Sequence, residues 1–230
     1  MIRALIFDVD GTLAETEEAH RQAFNETFTA WGLDWHWTQA DYRDLLKITG
    51  GKERIRTYQA ALPIAPLTDA DIARMHGEKT ARYGEIIASG GLTLRPGVGE
   101  LIAAARKAGL KLAVATTTNL PNVEALAQCC WRRPAREIFD VIAAGDEVAA
   151  KKPAPDVYVL ALHRLGLPAA DCLAFEDSEN GLRAARGAGL RVLMTPSAYT
   201  DHEPHEGAAW RVPSLEAAHL PAELSGLPLP

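Results

Sequence analysis

Cysteine is scarce in this chain: three residues in 230, with Cys129 and Cys130 adjacent and Cys172 alone. That spacing excludes the CxxC pairs of zinc or dithiol redox sites, and an odd, unpatterned set suits a reducing compartment. Positive charge is scarce too. Lys and Arg number 24 against 30 Asp and Glu, a net charge of −6, and no basic stripe or tail runs along the chain, which excludes a nucleic-acid-binding surface. Any anionic ligand must then meet local positive groups. Long apolar runs are missing, with no window near the roughly 18 residues of a membrane span. A basic leader and an Arg/Ser-rich transit segment are missing as well, so the reading is a cytoplasmic protein with no membrane partner. What the chain does have is 47% hydrophobic residues over 230 positions, enough for one large domain or a core plus a smaller one.

Short continuous apolar runs recur at 3–8 (RALIFD), 111–117 (KLAVATT), 139–145 (FDVIAAG), 171–177 (DCLAFED) and 190–194 (LRVLM). Runs without strict alternation predict strands covered on both faces, as in a parallel sheet. Helical patterns lie between them. PGVGELIAAARKAGL (96–110) carries Leu101, Ile102, Ala105 and Ala108 on one face and stops at Gly109, PDVYVLALHRLGL starts near Pro155 and ends at Gly166, and ENGLRAARGAGL ends at Gly189. From residue 94 onward helix and strand alternate, which predicts an α/β fold with a doubly wound, Rossmann-like parallel sheet.

Residues 16–92 break that rhythm. TEEAHRQAFNETFTAWG places Phe24, Phe28 and Trp31 on one stripe, and DYRDLLKI, KERIRTYQAAL and a long pattern from Thr68 to about Ala88 follow without a strand. The division predicted is an α/β core of 1–15 and 93–230 with an inserted all-helical cap at 16–92, hinged near 14–18 and 90–95, where Gly90, Gly91 and Gly97 offer flexibility. The proline-rich end, LPAELSGLPLP (220–230), reads as a loosely held terminus.

In open α/β sheets ligands bind beyond the carboxyl ends of the strands. Those ends carry Asp8 and Asp10, then Thr116, Thr117, Thr118 and Asn119, then Lys151 and Lys152, then Glu176 and Asp177. Two carboxylates as close as those of DVDGT (8–12) repel unless a metal ion, a bound cationic group or plain exposure to solvent answers them. Carboxylates from Asp8 and Asp177, with a backbone carbonyl, suit a hard octahedral ion such as Mg2+, which usually also binds phosphate. A lysine, a threonine hydroxyl and helix N–H groups opposite it would hold phosphoryl oxygens. One aspartate then serves as nucleophile toward phosphorus, and its neighbour protonates the leaving oxygen.

These residues carry a family resemblance. DVDGT, the threonine after KLAVA, the lysine of KKPAP and the acidic pair of FEDSENG, in that order over 8–177, resemble the four motifs of the haloacid dehalogenase superfamily of phosphohydrolases. The helical stretch between the first two resembles members with a helical cap. Among these, VAAKKPAPDVY and LAFEDSENGLRAARGAG look most like the CbbY-type sugar-phosphate phosphatases and the β-phosphoglucomutases. The resemblance implies that Asp8 becomes phosphorylated and that Asp10 acts as acid and then base. It implies Mg2+ held by Asp8, the Asp10 carbonyl and Asp177, with Glu176 supporting the metal shell. It further implies that Thr116 and Lys152 hold the transferring phosphoryl group, with Thr117, Thr118 and Asn119 beside them. In the cap, Glu17 and His20 match positions beside the sugar, the loop of Gly50, Gly51, Lys52, Glu53 and Arg54 matches the specificity loop, and Lys79 falls where related caps meet a distal phosphate.

The substrate so implied is a small phosphosugar, xylulose-1,5-bisphosphate foremost. Two alternatives stay open: a β-phosphoglucomutase-like mutase, and a non-catalytic phosphosugar-binding sensor. Asp10 speaks against the dehalogenases, which lack a second aspartate, and retention of Asp8, Asp10, Lys152 and Asp177 speaks against the sensor. Each residue also has a plain reading: Lys52, Arg54 and Lys79 as solvated cap charges, His20 as a half-exposed helix residue, Glu176 as structural, and Trp31, Trp35 and Trp37 as cap packing. The remaining histidines considered, His36, His163, His202, His205 and His219, show no ligand spacing. With the cap already covering the site, the chain reads as a monomer.

Overall fold

The computed structural model describes residues 2–63, 66–224 and 226–228. Strand β1 (Ala4–Phe7) is buried along its whole length. Four helices follow, α1 (Glu17–Ala30), α2 (Gln39–Leu45), α3 (Gly51–Ala60) and α4 (Asp69–Ala88). Alternation then begins with α5 (Val98–Lys107), β2 (Lys111–Ala115), α6 (Leu120–Trp131), α7 (Ala135–Ile138) and β3 (Val141–Ala143). It continues through α8 (Asp156–Leu165), β4 (Cys172–Glu176), α9 (Glu179–Gly187), β5 (Arg191–Met194) and β6 (Trp210–Arg211).

The sheet has six strands in the order β3-β2-β1-β4-β5-β6, and every pairing is parallel. Alternate side chains of each strand enter different cores, as the two-residue strand period requires. Leu5, Phe7, Leu112, Val114, Leu173 and Phe175 pack with Leu101, Ile102 and Leu126 of α5 and α6. Ala4, Ile6, Ala113, Ala174 and Val192 pack with Val157, Ala161 and Leu182 of α8 and α9. Small residues dominate the second set, so α8 and α9 press close to the sheet. Strand β6 has two residues and no apolar run of its own, and nothing in the sequence pattern announced it.

The chain leaves β1 toward β2 and β3, then returns to β4 on the other side of β1. That reversal opens a crevice at the carboxyl end of β1, which places Asp8 and Asp10 at its centre.

The four inserted helices have an apolar centre of their own, built from Phe24, Phe28, Trp35, Trp37, Tyr42, Ile55, Ile72 and Met75. Thr38 and Asp41 form a reciprocal capping box that starts α2, and Thr68 caps α4 through the Asp71 N–H. Trp35 and Trp37 are buried in that centre. Trp31 lies at its edge, its Nε1 donating to Glu78 at 2.6 Å and its ring under the Arg74 guanidinium.

Arg95 ties the two connections together: its guanidinium donates to the carbonyls of Gly11, Thr195 and Pro196 and faces Glu15 at 3.2 Å. Gly90 and Gly91 have positive φ and open space around them, whereas Gly97, also at positive φ, is crowded: a Cβ there would lie 2.0 Å from the Leu215 carbonyl carbon. Gly97 is therefore a packing requirement rather than a free joint. The terminus also departs from expectation. Leu224 is buried in the main core, with Leu220 and Leu227 packed against it, because the proline-rich segment spaces its leucines onto an apolar face. Ser225, Leu229 and Pro230 lie outside the described residues.

Candidate active site

The ends of β1, β3 and β4 converge on one buried cluster. Lys152 Nζ donates to Asp8 Oδ1 at 2.6 Å and to Glu176 Oε1 at 2.5 Å. The Tyr158 hydroxyl from α8 donates to the same Glu176 oxygen at 2.5 Å. Asp177 Oδ2 accepts from Thr200 Oγ1 at 3.0 Å, and Gly11, at φ 80°, turns the chain away just where a Cβ would strike that carboxylate at 2.2 Å.

Three carboxylates here face one ammonium. Burial pushes Asp8 up to about 8 even against the attraction of Lys152, with Glu176 and Asp10 adding to the rise. Burial, then Asp8 and Glu176, raise Asp177 well above its ordinary value. Lys152 goes the other way: burial disfavours its charge, yet the two carboxylates hold its proton more tightly than in a free lysine. Asp8, Glu176 and Asp177 each bring an oxygen within 4.8 Å of the others, and Glu176 Oε2 is buried without a hydrogen-bond partner. An all-oxygen donor set with surplus negative charge fits a hard divalent cation.

Asp10 lives in different surroundings. Its Oδ1 accepts from the Thr16 hydroxyl at 2.6 Å and meets His20 Nε2 at 3.1 Å. Although burial raises it, the charge and hydrogen bonds of His20 and Thr16 hold Asp10 down to about 2. His20 stacks on Tyr83 and meets Lys79 Nζ through Nδ1 at 2.7 Å. Burial and then Lys79 bring His20 down to about 4, and burial brings Lys79 down to about 7. Glu17 accepts from the Tyr42 hydroxyl at 2.9 Å, and burial with the nearby Asp10 charge lifts it to about 7.

A cavity of about 440 Å³ joins these groups to the specificity-loop candidates. Asp8, Asp10, Glu17, His20, Gly50, Gly51, Lys52, Glu53, Arg54, Lys79, Thr117, Thr118, Asn119, Lys152 and Asp177 all line it. Thr116 and Glu176 do not. Thr116 is 1% exposed with its Oγ1 accepting the Thr118 N–H, and Glu176 is fully buried beneath Lys152. Arg54 spends its guanidinium on Tyr42 and the carbonyls of Leu45 and Ile48. Several polar lining residues escaped the sequence reading, among them His76 on α4, Asn180 at the start of α9 and Thr200. None has a local signature, since a single polar residue on a helix or loop matters only through what the fold sets opposite it.

A carboxylate beside a buried lysine, with a second carboxylate two residues on and an acidic set that could hold a cation, is an arrangement suited to phosphoryl transfer. The chain belongs to the haloacid dehalogenase-like hydrolases, whose family profile matches residues 2–189. Protein CbbY of Rhodobacter capsulatus is 62% identical over 217 residues, covering 94% of this chain and 95% of the relative. A crystal structure of a CbbY mutant from Rhodobacter sphaeroides in complex with xylulose-(1,5)bisphosphate is 56% identical with a TM-score of 0.91, over 94% of this chain and 95% of that one. A β-phosphoglucomutase from Clostridium difficile, 21% identical over 94% of this chain and 92% of that one with a TM-score of 0.76, shares the fold.

Proposed function

We propose that this protein is a Mg2+-dependent phosphatase that removes one phosphate from a small sugar phosphate, xylulose-1,5-bisphosphate foremost. The observation that carries the reading is the pairing of Asp8 with Lys152 at 2.6 Å inside a cavity shared with Asp10. The 56% identity to a structure holding that bisphosphate supports the choice of sugar.

Asp8 is the nucleophile. Its free oxygen forms the new P–O bond as the ester P–O bond breaks, and Asp10 delivers a proton to the departing alkoxide. In the second step Asp10 takes a proton from water, the water oxygen bonds to phosphorus, and Asp8 leaves with the electron pair of its P–O bond. His20 and Thr16 stabilise the ionised form of Asp10, the form that acts as base in the second step; the proton it takes from water there returns it to the acid form that the first step of the next cycle uses. Lys152 positions Asp8 and offsets charge on the phosphoryl oxygens, and Thr117, Thr118 and Asn119 face the same space. Asp8, Asp177 and the Asp10 carbonyl, backed by Glu176, would hold Mg2+. The ion supplies positive charge that keeps Asp8 ionised and offsets the phosphate's charge.

The helical insertion then serves as a cap that admits substrate and excludes water. The four helices close over the cavity through Glu17, His20 and Lys79. A monomer suffices, since one chain supplies every residue named. A mutase is the weaker alternative, because β-phosphoglucomutase structures are 21% and 28% identical to this chain against 56% for the CbbY structure.

The test is phosphate release from a panel of sugar phosphates with Mg2+ and with EDTA, alongside assay of hexose 1-phosphate isomerisation. Release that needs Mg2+ and is fastest with the pentulose bisphosphate supports the reading. Isomerisation exceeding release would turn the assignment to a mutase, and no turnover at all would remove it.

A further inference from the structure

Tyr158 is fully buried in the first turn of α8, in the apolar layer that also holds Val157, Ala161 and Leu182. Phenylalanine would fill that place equally well, so the hydroxyl calls for a reason of its own. It donates to Glu176 Oε1 at 2.5 Å, the oxygen that also accepts from Lys152 Nζ at 2.5 Å. The ring takes part too, since Lys152 Nζ lies 5.0 Å from its centroid, within reach of the attraction between an ammonium and an aromatic face. Tyr158 thus touches both residues from behind the site, while the cavity lining does not include it.

Lys152 serves two carboxylates, Asp8 at 2.6 Å and Glu176 at 2.5 Å. Whatever else holds Glu176 decides how that ammonium is shared. A phenol O–H on Oε1 meets part of what the buried carboxylate requires and leaves more of Lys152 to Asp8. Two donors on one oxygen also stop the carboxylate from turning about its terminal torsion, which is otherwise broad. Oε2 is thereby kept in place, buried and without a hydrogen-bond partner, in room that a glycine at 181 leaves: a Cβ there would lie 1.9 Å away. The donor's neutrality matters as well. Three carboxylates against one ammonium leave surplus negative charge for a divalent cation, and a second lysine in place of Tyr158 would cancel part of it.

We propose that Tyr158 is a positioning residue for the phosphatase reaction described above, on which this role depends: its hydroxyl fixes Glu176 so that Lys152 stays on Asp8 and the acidic set stays open to the cation. Tyr158 touches no reacting atom. Its effect passes through Glu176, and therefore shows in the chemical step and in metal affinity rather than in the hold on the sugar.

The experiment compares Tyr158→Phe, which keeps the ring and loses only the O–H, with the parent in steady-state kinetics on a ketose 1,5-bisphosphate and in Mg2+ titration calorimetry without substrate. A hydrogen bond to a charged group is worth a factor of about 10–150. The expected result is a loss of about 10-fold or more in kcat at saturating Mg2+, with KM for the sugar within about threefold of the parent and the Mg2+ Kd raised about threefold or more. Glu176→Ala removes the acceptor, and in that background Tyr158→Phe should cost less than about twofold in kcat, as coupling through Glu176 requires. Smaller changes than these in kcat or in Mg2+ Kd, a KM that rises as far as kcat falls, or losses that multiply in the double variant each overturn the role and make Tyr158 a packing residue only, leaving the phosphatase reading intact. If Glu176→Ala does not fold or turn over, the split between kcat and KM and the calorimetry decide. Should the parent release no phosphate from any substrate, the phosphatase reading fails by itself, and the calorimetry decides alone: the role stands if Tyr158→Phe weakens Mg2+ binding and falls if it does not or if no Mg2+ binds.

Discussion

Lys152 and Asp8 are 144 positions apart in sequence and 2.6 Å apart in space, with Glu176 on the other side of the same ammonium. One lysine therefore holds together the ends of β1 and β4 and carries the charge balance of the cluster.

Lys152→Met should lose phosphate release by at least about a thousandfold and should also unfold more easily. Removing one partner of a buried ion pair costs about 3–5 kcal/mol, which for a chain of this size is roughly 6–20 °C in melting temperature. Activity assays and thermal melts check both. A variant that melts like the parent would show that the carboxylates are not straining against one another.

Asp8→Asn separates chemistry from stability. Asparagine cannot attack phosphorus, so release should fall by on the order of ten-thousandfold. Yet the amide keeps the volume and can still accept from Lys152, while one of three crowded carboxylates is gone. The metal-free variant should melt no lower than the parent. A clearly lower melting temperature would contradict the repulsion argument.

Metal and pH should be linked. Without a cation, Asp8 binds its proton up to about 8 in the folded state against 3.8 ordinarily, and Asp177 shifts the same way. Between those values the folded chain holds more protons than the unfolded one, so its stability declines as pH rises from about 4 to about 8. Melts in EDTA at pH 5, 6.5 and 8 should show that decline. Added Mg2+ should raise the melting temperature and reduce the slope, since ligand at 100 times its Kd contributes about 2.7 kcal/mol. A flat profile in EDTA would remove the premise that these carboxylates stand uncompensated.

Gly181→Ala tests the packing beneath the site. A Cβ there would fall 1.9 Å from Glu176 Oε2, so α9 must shift or Glu176 must turn, and both activity and stability should drop. Gly84→Ala in α4 is the control: nothing lies within 4 Å of its Cβ position, and alanine should stabilise that helix by about 0.5–1 kcal/mol. Similar behaviour of the two variants would mean that the Glu176 contact is unimportant.

The strands were legible because a sheet covered on both faces must be apolar in its interior, and β1 to β5 are apolar apart from the charged residues that open β2 and β5 and close β4. The polar residues ending them were legible by the same logic. Strand β6, with two residues at the sheet edge, carries too little apolar pattern to be seen. The tail misled because prolines usually mark loose segments, whereas Leu224 is buried through a long-range contact that no local pattern encodes. His76 was passed over as a site residue, and Lys151, placed at a strand end, was given no role, for a related reason: what each does depends on what the fold sets opposite it across the cavity.

From its sequence alone this chain has the parallel α/β core, the helical insertion and the order in which acidic, hydroxyl and basic groups reach the strand ends, since hydrophobic period and strand direction dictate those. Tertiary structure alone decided which partner each basic group meets. Lys79 and Arg54 look like substrate ligands until the fold gives them internal partners, and Lys151 meets Glu53 only when insertion and core are folded together. Charge interactions of that kind depend on distance and burial, which the order of residues does not specify.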